Sequence, residues 1–218
     1  MALALFDLDN TLLAGDSDYL WGVFLAEQGI VDRGYYEAEN QRFYDEYKQG
    51  TLDIFEFLAF SLKPLADNEP GVLRALQQQF LDEKIRAIMS PDSFALIEKH
   101  KQSGDVLAVI TATNSFVTGP IVKAFGIDNL LATEPEMNGG HYTGKVAGTP
   151  CFQQGKVERL NEWLMEQGMT LEDSWFYSDS HNDLPLLKQV THPVAVDPDE
   201  QLLDYAKQAN WPIISLRD

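Results

Sequence analysis

Two carboxylates, Asp7 and Asp9, stand two residues apart at the end of the apolar run that opens the chain, MALALFDLDNT. In an extended strand, alternate side chains share a face. Two ionised acids so placed raise each other's pKa unless something positive lies between them. Further along, ITATN carries Thr111, Ala112, Thr113 and Asn114, GK carries Lys156, and YSDSHND carries Asp179, Asn182 and Asp183. Four acids gathered unpaired at one edge of a fold would be destabilising. A hard divalent cation resolves the conflict, and magnesium, held by few protein oxygens together with a phosphate, suits the set. Lys156 at a helix start is itself out of place, because a helix N-terminus disfavours a cation.

Such residues need a scaffold that brings distant strand ends together. MALALF reads as a buried strand, and from Ser90 onward helices alternate with the strands DVLAVIT, NLLAT, SWFYSD, PVAV and PIISL. MNGGHYTGK reads as a hairpin with its glycine pair in the turn. Ser90 before Pro91 marks a helix start, and Asp197 before Pro198, with Glu200 following, reads as a capping box. The expected fold class is α/β, a doubly wound and mainly parallel sheet of Rossmann type. Between about Asp18 and Met89 only helical patterns occur, and LDIFEFLAFSL stops before Pro64. This defines an inserted all-helical cap over 15–88, with the core formed by 1–14 and 89–218. The aromatic stripes of the insert read as the interior of a small helical bundle.

The 218 residues carry 34 acids against 16 Lys plus Arg, a formal net charge of -18. That balance argues against a nucleic-acid or anionic-membrane partner, and any phosphate site must concentrate positive charge locally. Cys151, the one cysteine, excludes a disulfide framework and reads as a small buried hydrophobe. MALALF, cut by Asp7, is too short for a secretory signal, and no stretch has the length of a membrane span; a soluble, cytoplasmic protein is expected. His100, His141 and His192 lack metal-ligand spacing, and His181 borders either the substrate or solvent.

FDLDNT, ITATN, GK and YSDSHND resemble, in order, the four motifs of the haloacid dehalogenase superfamily of phosphohydrolases. The helical insert resembles the cap of the branch containing phosphoserine phosphatase. The resemblance implies that Asp7 is the nucleophile, taking the phosphoryl group as an aspartyl-phosphate, and that Asp9 is the general acid and base. It implies that Thr111 and the following amides hold phosphate oxygens and that Lys156 neutralises nucleophile and phosphate. Mg²⁺ would be held by Asp7, the backbone carbonyl of Asp9 and Asp179, with Asp183 acting through the metal's waters and fixing Lys156. Asn182 and the residues Ala112, Thr113 and Asn114 fall in the implied substrate set.

The alcohol being released must be read by the cap. Asp16 stands where phosphoserine phosphatases place an acid for the substrate amine, whereas the position of their carboxylate-reading arginine falls on Ala59. A small phosphorylated metabolite bearing an amine without a carboxylate fits better, and the chain is similar to histidinol-phosphate phosphatases of this branch, which act in histidine biosynthesis. Asp16 and Asp18 would meet amine and imidazole, and Trp21 offers a stacking face. Phosphoserine and other amine-bearing phosphate esters remain alternatives. A phosphate-accepting signalling receiver would lack the insert and the second acid, and a dehalogenase needs neither Asp9 nor Mg²⁺.

Overall fold

The computed structural model describes residues 2–217. β1 (Leu3–Phe6) is buried along its whole length. Its alternate side chains enter two different apolar clusters: Ala4 and Phe6 face one, and Leu3 and Leu5 the other. A strand covered on both faces explains the uninterrupted apolar opening of the chain.

The insert follows at once. It comprises α1 (Ser17–Glu27), α2 (Arg33–Gln49), α3 (Ile54–Ser61), α4 (Lys63–Asp67) and α5 (Pro70–Phe80), with two further short helical turns ending at Ile88. The expected stop before Pro64 occurs as a break rather than an end, because Pro64 lies in the first turn of α4, where its missing N–H costs nothing. The insert leaves and re-enters the core at one point: Leu13 and Met89 form an antiparallel bridge, and Ala14 N–H donates to the Ile88 carbonyl at 2.8 Å. Trp21, Phe24, Leu58 and Phe80 of the insert share one apolar cluster with Phe6, Val109 and Phe116 below.

The core continues through α6 (Pro91–Gln102), β2 (Val106–Asn114), α7 (Ser115–Ala124), β3 (Asn129–Asn138), β4 (His141–Ala147), α8 (Gln154–Gln167), β5 (Trp175–Ser178), α9 (Leu184–Leu187), β6 (His192–Val196), α10 (Glu200–Ala209) and β7 (Ile213–Ile214). The sheet order is β4-β3-β2-β1-β5-β6-β7, parallel except for the β3–β4 hairpin. The chain moves outward in one direction from β1 to β2 and in the other from β5 to β7. The ends of β1, β2 and β5 therefore flank the switch point, where doubly wound folds bind ligands. The short strand expected at NLLAT is the start of the longer β3, which runs on into the hairpin.

One cap differs from expectation. Asp199, not Asp197, caps α10, accepting from Leu202 N–H at 2.8 Å. Asp197 lies outside the helix with φ 42°, and its carboxylate is taken by Leu216 N–H at 3.0 Å.

Candidate active site

The turn after β1 carries Asp7 and Asp9 through extended backbone and reverses at Asn10, whose φ is 55°, a conformation that asparagine tolerates better than most residues. Asp7 is buried and extends the sheet by donating its N–H to Tyr177 O at 2.9 Å. Its Oδ1 accepts from Lys156 Nζ at 2.7 Å. Thr11 Oγ1 lies 3.4 Å from Asp7 Oδ2 and 3.1 Å from Asp179 Oδ1, and accepts from Asp179 N–H at 3.0 Å. Asp9 accepts from Ser17 N–H at 2.6 Å and from the Thr113 hydroxyl at 2.8 Å.

β2 reaches the site by a bulge. Ile110 pairs with Leu131 and Asn114 with Thr133, so residues 111–113 leave the regular ladder, and the Thr133 hydroxyl donates to the Ala112 carbonyl at 2.8 Å. Such a bulge re-aims side chains at a sheet rim, and here Thr111, Ala112 and Thr113 line the cleft.

Lys156 sits in the first turn of α8, fully buried. A Cβ on Gly155 would lie 2.0 Å from the Pro150 carbonyl oxygen; the glycine of the GK pair is there because the backbone approaches too closely for any side chain. Lys156 Nζ also reaches Asp183 at 2.8 Å, and the Ser178 hydroxyl donates to that same carboxylate at 2.7 Å. Burial opposes the lysine's charge, yet Asp183 and then Asp7 hold its pKa above the usual range. Two ion pairs outweigh an unfavourable helix terminus.

The acids carry the strain of their crowding. Burial, with added repulsion from Asp183 and Asp9, pushes Asp7 up to about 7 against the pull of Lys156. Burial and then Asp16 push Asp9 up to about 6, and burial followed by Asp7 and Asp183 raises Asp179 well above the carboxylate range. One hydroxyl proton, on Thr11, serves both Asp7 and Asp179, so these carboxylates lack a counter-charge between them. A cation fits that deficit. Among the described residues no group of three or more acidic, histidine or cysteine side chains forms a ready-made cage. The donors at hand are carboxylate oxygens, which suit a hard cation such as Mg²⁺ that keeps several waters of its own.

Above the acids the cleft is closed by the insert. Its wall is formed by Asp16, Asp18, Tyr19, Asn40, Phe43, Tyr44, Tyr47, Leu52, Ile54 and Phe57, with Phe152 from the core. Asp16 caps α1, its Oδ1 accepting from the Asp18 and Tyr19 amides at 2.9 Å. The Asp18 carboxylate has no hydrogen-bond or ion-pair partner among the described residues, and burial, then Asp16 and Asp9, raise its pKa well above the usual value. None of the insert's lysines or arginines lines the cleft. Arg42 is occupied on the far side by Glu39, Glu46 and Glu56, and Ala59 lies beside it there.

The structure does not bring every expected residue to the cleft. Trp21 is 3% exposed and packs in the apolar cluster against Phe24, Phe80 and Phe116, because the inner face of α1 needs a large hydrophobe where the insert meets α7. Asn114 is a helix cap, accepting from Val117 N–H at 3.1 Å. Asn182 joins core to insert, donating to the Tyr47 carbonyl at 3.0 Å and accepting from Gln153 at 2.9 Å. His181 is held by Asp199 at 2.7 Å, and its Nε2 would be 2.8 Å from a Cβ on Gly50, whose φ is 71°. His181 thus abuts the insert. Conversely, Tyr44, Tyr47 and Phe57, expected inside the bundle, face the cleft; their helical spacing marks a common face without telling what that face meets. Cys151 is buried, its thiol pushed up to about 12 by burial, as a structural cysteine should be.

A doubly wound hydrolase core, with acids and a lysine at its switch point and a helical insert above, is the class that fold and site define. The family model for haloacid dehalogenase-like hydrolases matches residues 4–188, and the chain belongs to that family and is an enzyme. A histidinol-phosphatase from Neisseria meningitidis serogroup C (strain 8013) is 44% identical over 219 residues, covering 99% of each chain. A protein of unknown function from Bordetella pertussis Tohama I superimposes with a TM-score of 0.93 at 43% identity, over 99% of this chain and 98% of the other. A phosphoserine phosphatase solved as a phospho-aspartyl intermediate analogue gives a TM-score of 0.72 at 21% identity, over 99% and 93% of the two chains, a likeness of fold. Among the described residues no helix is long and apolar enough to cross a membrane.

Proposed function

We propose that the chain is a Mg²⁺-dependent phosphomonoesterase working through an aspartyl-phosphate on Asp7, and that its substrate is histidinol phosphate. The observation that carries the substrate assignment is the wall above the acids: aromatic rings, an unpartnered Asp18, and no basic side chain. An amine or imidazolium gains from both features. A substrate carboxylate would be buried beside Asp16 and Asp18 without a counter-charge, which is costly. The name of the Neisseria relative supports the same reading. Histidinol and inorganic phosphate would be the products, placing the enzyme in histidine biosynthesis and in the cytoplasm.

In the first half-reaction an Asp7 carboxylate oxygen attacks phosphorus in line, and the bond from phosphorus to the ester oxygen breaks. Asp9, whose raised pKa enlarges its protonated fraction relative to an ordinary carboxyl, gives its proton to the departing alcohol. In the second half the Asp9 carboxylate takes a proton from water as that water attacks the same phosphorus. Phosphate leaves and Asp7 is regenerated. The Thr111 hydroxyl accepts from Thr113 N–H at 3.2 Å, leaving its proton to donate to a phosphate oxygen. Lys156 balances charge on the nucleophile, and splitting hydrolysis across a carboxylate replaces one difficult step by two. Bound through Asp7, Asp179 and the Asp9 carbonyl, with Asp183 beyond its waters, Mg²⁺ would supply counter-charge to the phosphoryl oxygens.

The test is kcat/KM for histidinol phosphate, phosphoserine and phosphoethanolamine, each with Mg²⁺ and with chelator. Histidinol phosphate should be preferred and activity should vanish on chelation. Faster turnover of phosphoserine would overturn the substrate assignment, and full activity under chelation would overturn the metal assignment.

A further inference from the structure

Arg217, at the far end of the chain, grips the turn that carries the nucleophile. After β7 the chain crosses the rim of the sheet, anchored by buried Leu216 and by the hydrogen bond from Leu216 N–H to the Asp197 carboxylate. The two N–H bonds of Arg217 Nη2 are then shared among the carbonyls of Asn10 at 2.6 Å, Thr11 at 3.1 Å and Leu13 at 2.8 Å. Its Nε lies 3.7 Å from Asp197, and the side chain is 25% exposed. Donors on a guanidinium make stronger hydrogen bonds than neutral ones.

The first two carbonyls flank the Cα of Thr11, so gripping both peptide groups fixes that residue's backbone on either side. Thr11 Oγ1 is the atom within hydrogen-bond distance of Asp7, Asp179 and the Asp179 N–H. The path is thus short: guanidinium, peptide planes, hydroxyl, and the two carboxylates.

We propose that Arg217 is a positioning residue for the reaction, setting the aim of Asp7 and Asp179 through Thr11 without touching substrate. The catalytic consequence rests on the proposed role of Asp7; the geometric one does not. In Arg217→Ala, kcat for the phosphate ester should fall roughly 10- to 100-fold, the cost of a slightly misplaced reacting group, with KM changed by no more than about twofold. Added guanidinium should restore part of the loss. Arg217→Lys, one bond shorter but with three donors on a single charged nitrogen, should keep more kcat than the alanine variant.

A second readout needs no turnover. In metal-free protein, amide exchange at Asp179, whose N–H is bonded to Thr11 Oγ1, should quicken in Arg217→Ala, while that at Asp7, bonded to Tyr177 O, should not. If the alanine variant does not fold, the lysine variant is compared with the native chain by the same measures. Unchanged kcat, or equal exchange change at both amides, would overturn the proposal. Should Asp7→Asn retain activity, the reading of Asp7 fails, while the exchange data still decide whether Arg217 orders the turn.

Discussion

Lys156 Nζ lies 2.7 Å from Asp7 Oδ1 although 149 positions separate the two residues. The contact ties the start of α8 to the end of β1, and a second bond from the same nitrogen holds Asp183. Replacing the lysine by Met keeps the volume and removes the charge, leaving two buried carboxylates without their counter-charge. Lys156→Met is expected to lose about 3–5 kcal/mol of stability in the metal-free protein. Denaturant unfolding at pH 8 is the measurement; an unchanged midpoint would mean that the pair contributes nothing.

Asp7→Asn keeps the shape of the nucleophile and removes its charge. Activity should drop by roughly 10⁴-fold or more, as for loss of other covalent nucleophiles, while circular dichroism and melting stay close to native. Residual activity well above that level would show that the phosphoryl group does not pass through this side chain.

Asp18→Asn tests the reading of the alcohol separately from the chemistry. The charged partner of an amine or imidazolium is lost, so KM for histidinol phosphate should rise roughly 10- to 100-fold. For a phosphate ester without a cation, such as p-nitrophenyl phosphate, KM and kcat should hardly change. Equal losses on both substrates would move Asp18 from recognition to scaffold.

The same reasoning from periodicity and charge points to the acids at the strand ends, to the lysine, and to Asp16 and Asp18 in the cleft, yet misplaces the aromatic part of its wall. Asp7, Asp9, Lys156 and Asp179 were legible because each violates what its own element requires: a carboxylate closing an apolar strand, a cation at a helix start. Local rules reveal local violations. Trp21 and Tyr44 show the opposite case. Both sit in helices with aromatic neighbours at similar spacing, yet one packs in the core and the other faces the cleft, because the face that a helix turns inward depends on how it docks. Arg217 carried no signal at all; its partners are carbonyls, which every residue has.

Acid content gives a pH dependence of defined sign. Burial, above all, pushes Asp9 up to about 6 and Asp7 up to about 7 from the ordinary value of 3.8. The fold therefore binds these protons more tightly than the unfolded chain does. Their contribution to stability is complete below the ordinary carboxylate range and is lost as pH rises through about 6 and then about 7. The melting temperature of metal-free protein should fall across that window, and excess Mg²⁺ should restore it most at the alkaline end. A profile that is flat with chelator, or unmoved by the metal, would contradict the cation-deficient site.

The Leu13–Met89 bridge also bears on how such enzymes diversify. Departure and return of the insert at neighbouring backbone positions make it a cassette: a different helical segment spliced there need not alter the register of any strand beneath. Hydrolytic machinery and choice of leaving alcohol can then vary independently, and a chimera carrying a foreign segment on this sheet would inherit its taste from the donor and its reaction from the host.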